Sequence, residues 1–433
     1  MFPIFAFLFC TFFVIILLKI DVKLHNDAFT ETLIPFAWLI IAGSKYLSHW
    51  IGYGQTFGTE SAFTEGSPVD RYYFLMLTIA GIYLLIKRKA ILLNVIINNK
   101  IFSIFLLYGL VSIFWSEIPF SALKRFIKYL GNVIVALVIL SECNPVEVLT
   151  NVLRRVAIVL LPFSVIFIKY FPQIGREYSV TGGTMYRGVT GQKNELGLIC
   201  IFFGIIFIWN LLKIYKEHNS YDKKKIIYIY ITLLILNIWL LIVSNSATSL
   251  FCFSVGSIIL FFGNLNYFNN NRTRVCIYLS VIVIFAILLQ YMFNIKSDII
   301  QILGRDDSLT TRTPMWDFML GMKTNPLFGT GFESFLTLDR MQLIRSYYGV
   351  SSPHNAYLNT YLNLGAFGLL LLIMIYINTY FNIYREMSKK YYESIFKLTL
   401  LIIIVMYGYT EAYIFGVNFI SFGLCFISIK YDT

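Results

Sequence analysis

Apolar runs of about twenty residues, separated by short polar breaks, fill this chain from "FPIFAFLFCTFFVIILL" near its start to "FGVNFISFGLCFIS" near its end. Such a run, rising 1.5 Å per residue as an α-helix, crosses a hydrocarbon layer roughly 30 Å thick. Lipid offers no hydrogen-bond partner, so the helix must satisfy its own backbone. The pattern predicts an all-α polytopic integral membrane protein, with about 12 or 13 transmembrane helices and one long external loop containing short helices. The first run lacks a basic leader and a small-residue cleavage site, and reads as a retained helix. There is no internal repeat, so residues 1–433 form a single membrane domain.

Composition agrees. The chain is 58% hydrophobic and 18% aromatic, with charge at only 13% of positions against roughly 25% in soluble domains. Six cysteines lie in or beside apolar runs without metal-ligand spacing, which argues against a disulfide framework or structural zinc. The net charge of +12 would suggest a nucleic-acid partner in a soluble protein, but here the excess sits in short loops. The runs "IKRKA" (86–90), "LRR" (153–155), "KIYKEHNSYDKKK" (213–225), "NRTR" (271–274) and "YREMSKK" (384–390) read as cytoplasmic by the positive-inside rule. The external segments are then 51–71, 115–125, 170–193, 244–249 and the long loop 294–353, with the C-terminus inside. Thirteen spans put Met1 outside and twelve put it inside.

The long loop carries six basic and six acidic residues, a balance that suggests a site rather than an unselective basic surface. Thr313 and Pro314 read as N-cap and first helical residue, leaving Arg312 just before a helix N-terminus. After the turn "NPLFGTG", residues 332–345 read as an amphipathic helix along the outer membrane surface.

"SSPHNAYLNTYLNLGAFG" (351–368) then opens a span with one of only four histidines in the chain. Ser352 and Pro353 predict the helix start, which puts His354 in the first turn, where the positive end of the helix disfavours imidazolium. A neutral ring accepts a proton. Tyr361, Gly365 and Gly368 share a face with His354, Asn355, Asn359 and Asn363 form a polar stripe, and the glycines are expected to admit a neighbouring helix. The same residues also fit plain interfacial anchoring and packing.

"HN", nine residues, then "GAFG" resembles the motif of the bacterial O-antigen ligase and O-antigen or exopolysaccharide polymerase superfamily. "GSKYLSHW", "EGSPVDR", "FWSEIPFSALKR", "RGVTGQKNELG", "SNSATS", "GRDDSLTTRTPMW" and "NPLFGTGFESF" fit that superfamily in the same order. The resemblance implies transfer of a glycan from undecaprenyl diphosphate to an acceptor glycan or a lipid A core. The reaction would proceed on the periplasmic face of the inner membrane without metal or other cofactor, with chain-length or export proteins as further partners. It assigns His354 as the essential histidine and Arg187 and Arg312 as the key external arginines. The "GSPVDR", "WSEIP" and "SNSATS" stretches lean toward the polymerase branch.

Displacing a lipid diphosphate builds negative charge on the leaving group, and guanidinium pairs bind phosphate oxygens bidentately. Arg187 and Arg312 are expected to hold the diphosphate, with Lys193 and Arg305 in reserve, while His354 takes the acceptor proton. Asn194 and Asn355 are candidate sugar contacts, and Glu333, Asp306 and Asp307 are alternative bases. For Arg312 the structural alternative is an ion pair with Asp306, Asp307 or Asp317; for Lys193 and Asn194 it is capping and anchoring. Two other functions remain open. A transporter or flippase for lipid-linked sugars should carry charge within its spans, which are nearly free of it; a non-catalytic subunit would leave His354 unconstrained.

Overall fold

A computed structural model describes residues 2–25, 29–52, 66–89, 92–178, 183–216, 221–265, 312–350 and 352–431. The apolar runs become α1 (Phe2–His25), α2 (Phe29–Ala42), α3 (Pro68–Lys87), α4 (Lys100–Val111), α5 (Pro119–Leu140), α6 (Pro145–Tyr170), α7 (Lys193–Lys216), α8 (Tyr221–Val243) and α9 (Ala247–Gly263). Two short helices follow, α10 (Arg312–Leu320) and α11 (Leu338–Tyr348). Three more apolar ones complete the chain: α12 (Ala356–Glu386), α13 (Tyr391–Gly408) and α14 (Phe419–Ser428). Pro68, Pro119 and Pro145 each begin a helix, where a missing N–H leaves no bond unmade.

Among the described residues seven helices are long and apolar enough to cross a membrane, and α2, α4, α9 and α14 lie in shorter apolar ones. The protein is a polytopic all-helical membrane protein. One small addition is an antiparallel ribbon of β1 (Arg176–Tyr178) and β2 (Thr184–Tyr186), in which Tyr178, Thr184 and Tyr186 favour extended backbone.

The helices alternate in direction. Arg88 reaches Glu142, Lys216 Nζ donates to the Asn264 carbonyl at 2.7 Å, and Asn99 and Lys430 exchange backbone and side-chain bonds. Lys216 also reaches the hydroxyl of Tyr392, just past α12, so the basic ends of α3, α7 and α12 gather at one end of the bundle, and His354 lies at the other. Phe7 stacks on Phe167 while Asp21 pairs with Arg154, so α1 runs antiparallel to α6 and starts at the His354 end. The "LRR" run is not a loop. Arg154 and Arg155 are 1% and 0% exposed inside α6, sharing Asp21 at 2.6 and 3.0 Å, with Tyr230 and Asn151 completing the Arg154 bonds. The apolar flanks of the run kept it in the helix, and the carboxylate from α1 compensates its charge.

Two packing features fix the His354 end. Trp38 lies against Gly131, where an added Cβ would sit 2.1 Å from the indole, and Trp38 Nε1 donates to Asn132 Oδ1 at 2.8 Å. Asn132 in turn donates to the Gly416 carbonyl at 2.7 Å and to Ser421, tying α2 and α5 to the turn before α14. Above the bundle, Met315, Met319, Phe335, Ile344 and Leu362 form a second apolar cluster that holds α10 and α11 on the start of α12.

The two short helices α10 and α11 and the start of α12 differ from their sequence reading. Arg312 lies within α10, not before it. Residues 332–337 are turn rather than helix: Phe332 and Phe335 are buried, and Thr337 caps α11 by accepting from Arg340 N. Gly365 and Gly368 do not admit a neighbouring helix. Gly365 adopts φ 66°, ψ −167° and breaks α12, and an added Cβ there would lie 2.2 Å from the Leu327 carbonyl oxygen. The segment 326–331 occupies the break, with Gly331 N donating to the Asn363 carbonyl at 2.8 Å and Ala366 N to that of Pro326 at 2.9 Å.

Candidate active site

Asn355, not Ser352, caps α12. Its Oδ1 accepts from Tyr357 N at 2.9 Å and Leu358 N at 3.0 Å, which gives the oxygen of this buried side chain a structural task. His354 therefore lies outside the helix, at φ 46°, a left-handed conformation costly for a residue with a Cβ. The expectation that a first-turn position would hold the ring neutral does not apply to this geometry.

What orients His354 is Glu411, from the turn between α13 and α14. His354 Nδ1 and Glu411 Oε2 are 2.9 Å apart. Where that carboxylate is ionised it only accepts, which places the shared hydrogen on Nδ1 and, in the neutral ring, leaves the Nε2 lone pair for another proton. Glu411 is 3% exposed. Its Oε1 accepts from Asn194 Nδ2 at 2.6 Å and lies 4.0 Å from an Arg312 terminal nitrogen, whose partner nitrogen donates to the Thr410 carbonyl at 2.9 Å. Thus three sequence candidates, His354, Arg312 and Asn194, converge on one buried carboxylate. The alternative ion pair of Arg312 with Asp317 is absent among the described residues.

Arg187 stands one step away. It follows β2, and its guanidinium donates to the carbonyls of Ile174 at 3.0 Å and Gln173 at 3.1 Å, with a longer approach of 3.5 Å to that of Gly191. The next residue after Gly191, Gln192, donates to the Tyr413 hydroxyl, so the Arg187 loop and the Glu411 turn are joined. No bond links Arg187 directly to His354 or Arg312 among the described residues. Lys193 opens α7 with no ion pair among the described residues, and Arg305, Asp306 and Asp307 lie outside the described residues.

Sequence reasoning missed several groups. Glu411 is one, although it is the only charged residue between Lys397 and Lys430, a signal in itself. Lys45 is another: its Nζ donates at 3.1 Å to the same Ile174 carbonyl that Arg187 uses. Burial, then the Arg187 charge, lower Lys45 to about 8, against the opposing pull of Glu177 and Glu195. Finally, a cavity of about 350 Å³ is lined by Arg125, Lys128 and Glu333, by Ser352 and Pro353 just before His354, and by Ala412 just after Glu411.

With that geometry in place, comparison with known proteins adds two findings. The O-antigen ligase family matches residues 231–373, which include Arg312, Glu333 and His354. The exopolysaccharide production protein ExoQ of Rhizobium meliloti (strain 1021) is 25% identical over 291 residues, 64% of this chain and 63% of the relative's own length.

Proposed function

We propose, from the match of residues 231–373 to the O-antigen ligase family and the similarity to an exopolysaccharide production protein, that the chain is a membrane glycosyltransferase of the O-antigen ligase and polymerase type. It would move a glycan from undecaprenyl diphosphate to a hydroxyl of an acceptor glycan or lipid A core. The observation that carries the proposal is the His354–Glu411 contact with Arg312 beside the same carboxylate. In the proposed step the acceptor hydroxyl gives its proton to His354 Nε2 as its oxygen attacks the anomeric carbon. The bond from that carbon to the diphosphate breaks, and the electron pair leaves with the phosphate. Attack from the far side inverts the anomeric centre. Glu411 holds the ring and stabilises the imidazolium that forms. Arg312 and Arg187, with Lys45 beside the latter, supply fixed positive charge to the leaving diphosphate.

The gathering of the basic helix ends opposite His354 supports a site on the external face, which is periplasmic in an inner membrane. A flippase is the weaker reading, because the buried charges within the helices, Asp21, Arg154 and Arg155, are satisfied by one another far from His354.

The test is reconstitution with a lipid-linked oligosaccharide. His354→Ala abolishes transfer, and Glu411→Gln, which keeps shape but loses charge, lowers kcat by roughly 10²–10⁴. Product growing on lipid diphosphate identifies a polymerase, and product on a lipid A core identifies a ligase. Transfer at wild-type rate by both variants rejects the mechanism.

A further inference from the structure

The cavity beside His354 is lined by three charged groups that the proposed mechanism does not use, of which Arg125 is bonded to the Glu333 carbonyl and the other two stand apart. Lys128, from α5, and Glu333, from the turn before α11, both line it. They act on each other electrostatically, yet among the described residues neither an ion pair nor a hydrogen bond occupies the Lys128 ammonium or the Glu333 carboxylate. The ammonium lies only over the rings of Tyr46 and Phe74, at 5.6 and 5.7 Å from their centroids. Half-buried charges without hydrogen bonds are costly, and the gap between these two suits a group able both to donate and to accept.

The backbone points the same way. Glu333 has φ 46°, as does His354, so two of the described non-glycine residues in left-handed conformation stand beside one cavity. The Glu333 turn is held there by its neighbours. Its carbonyl accepts from Arg125, Ser334 Oγ meets Ser116 Oγ at 2.7 Å, and Phe332 N donates to Ser112 Oγ at 3.0 Å. Strain that the surroundings enforce is a mark of functional positions.

The chemistry of the lining selects the occupant. Arg125 and Lys128 bring positive charge to the lining, but the Arg125 guanidinium is turned to the Glu333 carbonyl, so a diphosphate would have to place oxygens beside the Glu333 carboxylate with Lys128 as its free cation among the described residues. A sugar ring instead offers adjacent hydroxyls to the ammonium, the carboxylate and the amide of Asn359, and C–H faces to Tyr46, Met341 and Val417. The volume falls within the roughly 300–1,000 Å³ of small-molecule pockets. We propose, building on the transferase reading, that this cavity is the acceptor-sugar subsite, in which Lys128 donates to one hydroxyl and Glu333 accepts from a neighbouring one. The acceptor is thereby presented beside His354.

The test uses the full chain in lipid nanodiscs as wild type, Glu333→Gln, Glu333→Asp and Lys128→Met. The probe is the repeat-unit oligosaccharide released by mild acid from the producing cell's own surface polysaccharide and labelled at its reducing end. Probe binding is measured directly, and transfer rates are measured with donor and acceptor varied separately. Glu333→Gln and Lys128→Met should each weaken probe binding and raise acceptor KM by about tenfold or more, leaving donor KM unchanged, with Glu333→Asp partly restoring both. Probe binding at wild-type strength in the Gln variant overturns the proposal, as does a rise in donor KM alone. The Glu333 side chain has no hydrogen-bond partner among the described residues, so its isosteric variant decides the matter even if Lys128→Met fails to fold. Probe binding that depends on Glu333 without any transfer by the wild type would reject the transferase reading and leave the subsite standing. Normal transfer with unaltered binding in the variants would do the reverse.

Discussion

His354 is placed by two neighbours that act through different physics. Asn355 spends its side chain on the helix cap, which fixes where the backbone turns, and Glu411 fixes how the ring is rotated. Asn355→Ala should cost about 1 kcal/mol of stability, seen as a lower melting midpoint in detergent, with a larger fall in kcat than in donor affinity. Lys45 gives a pH test. If its ammonium serves the donor, donor affinity weakens as pH rises through about 8, where the side chain loses its proton. Lys45→Arg, which stays charged, should flatten that dependence in donor KM measured from pH 7 to 9. At this scale the sequence could nominate His354 and Arg312 as candidates because the stretches that carry them are local. Glu411 was not, because its partner lies 57 positions away and only folding brings them together.

Among the elements, α12 departs furthest from its sequence. Gly365 and Gly368 lack the side chains that would keep a neighbouring helix away, yet what approaches is a turn, 326–331, bonded to both lips of a broken helix. Periodicity carries no sign of this, because a broken helix and a straight one share the same apolar pattern. Gly365→Ala would place a Cβ 2.2 Å from the Leu327 oxygen at a φ that L-residues avoid. It should destabilise on the order of 3 kcal/mol, read as a lowered thermal midpoint and loss of transfer together. Among the described residues the apolar runs were legible as helices, since lipid enforces them. The start of α11 was not, because Phe332 and Phe335 mimic a helical stripe while packing as turn residues into the core.

Across the whole molecule, charge is spent at two levels of the bundle. The His354 end holds the candidate chemistry, and deeper in the helices Asp21 pairs with both Arg154 and Arg155. Removing one partner of a buried cluster typically costs about 3–5 kcal/mol. Asp21→Ala should therefore lower the yield and melting midpoint of purified protein, while the protein that does fold keeps wild-type donor KM. The positive-inside rule counted these arginines as loop charges because composition alone cannot distinguish a solvated cation from one answered by a distant carboxylate.

The backbone bonds that close the gap in α12 have a practical consequence for building chimaeras. Residues 326–331 supply partners for amides and carbonyls on either side of Gly365, so the external layer and the span beneath it share one hydrogen-bond register. Exchanging 312–350 alone with a relative would graft a loop onto a helix whose break it does not match. A transplant that carries 312–368 moves the lock together with its keyhole, and is the unit by which glycan preference should be swapped between relatives.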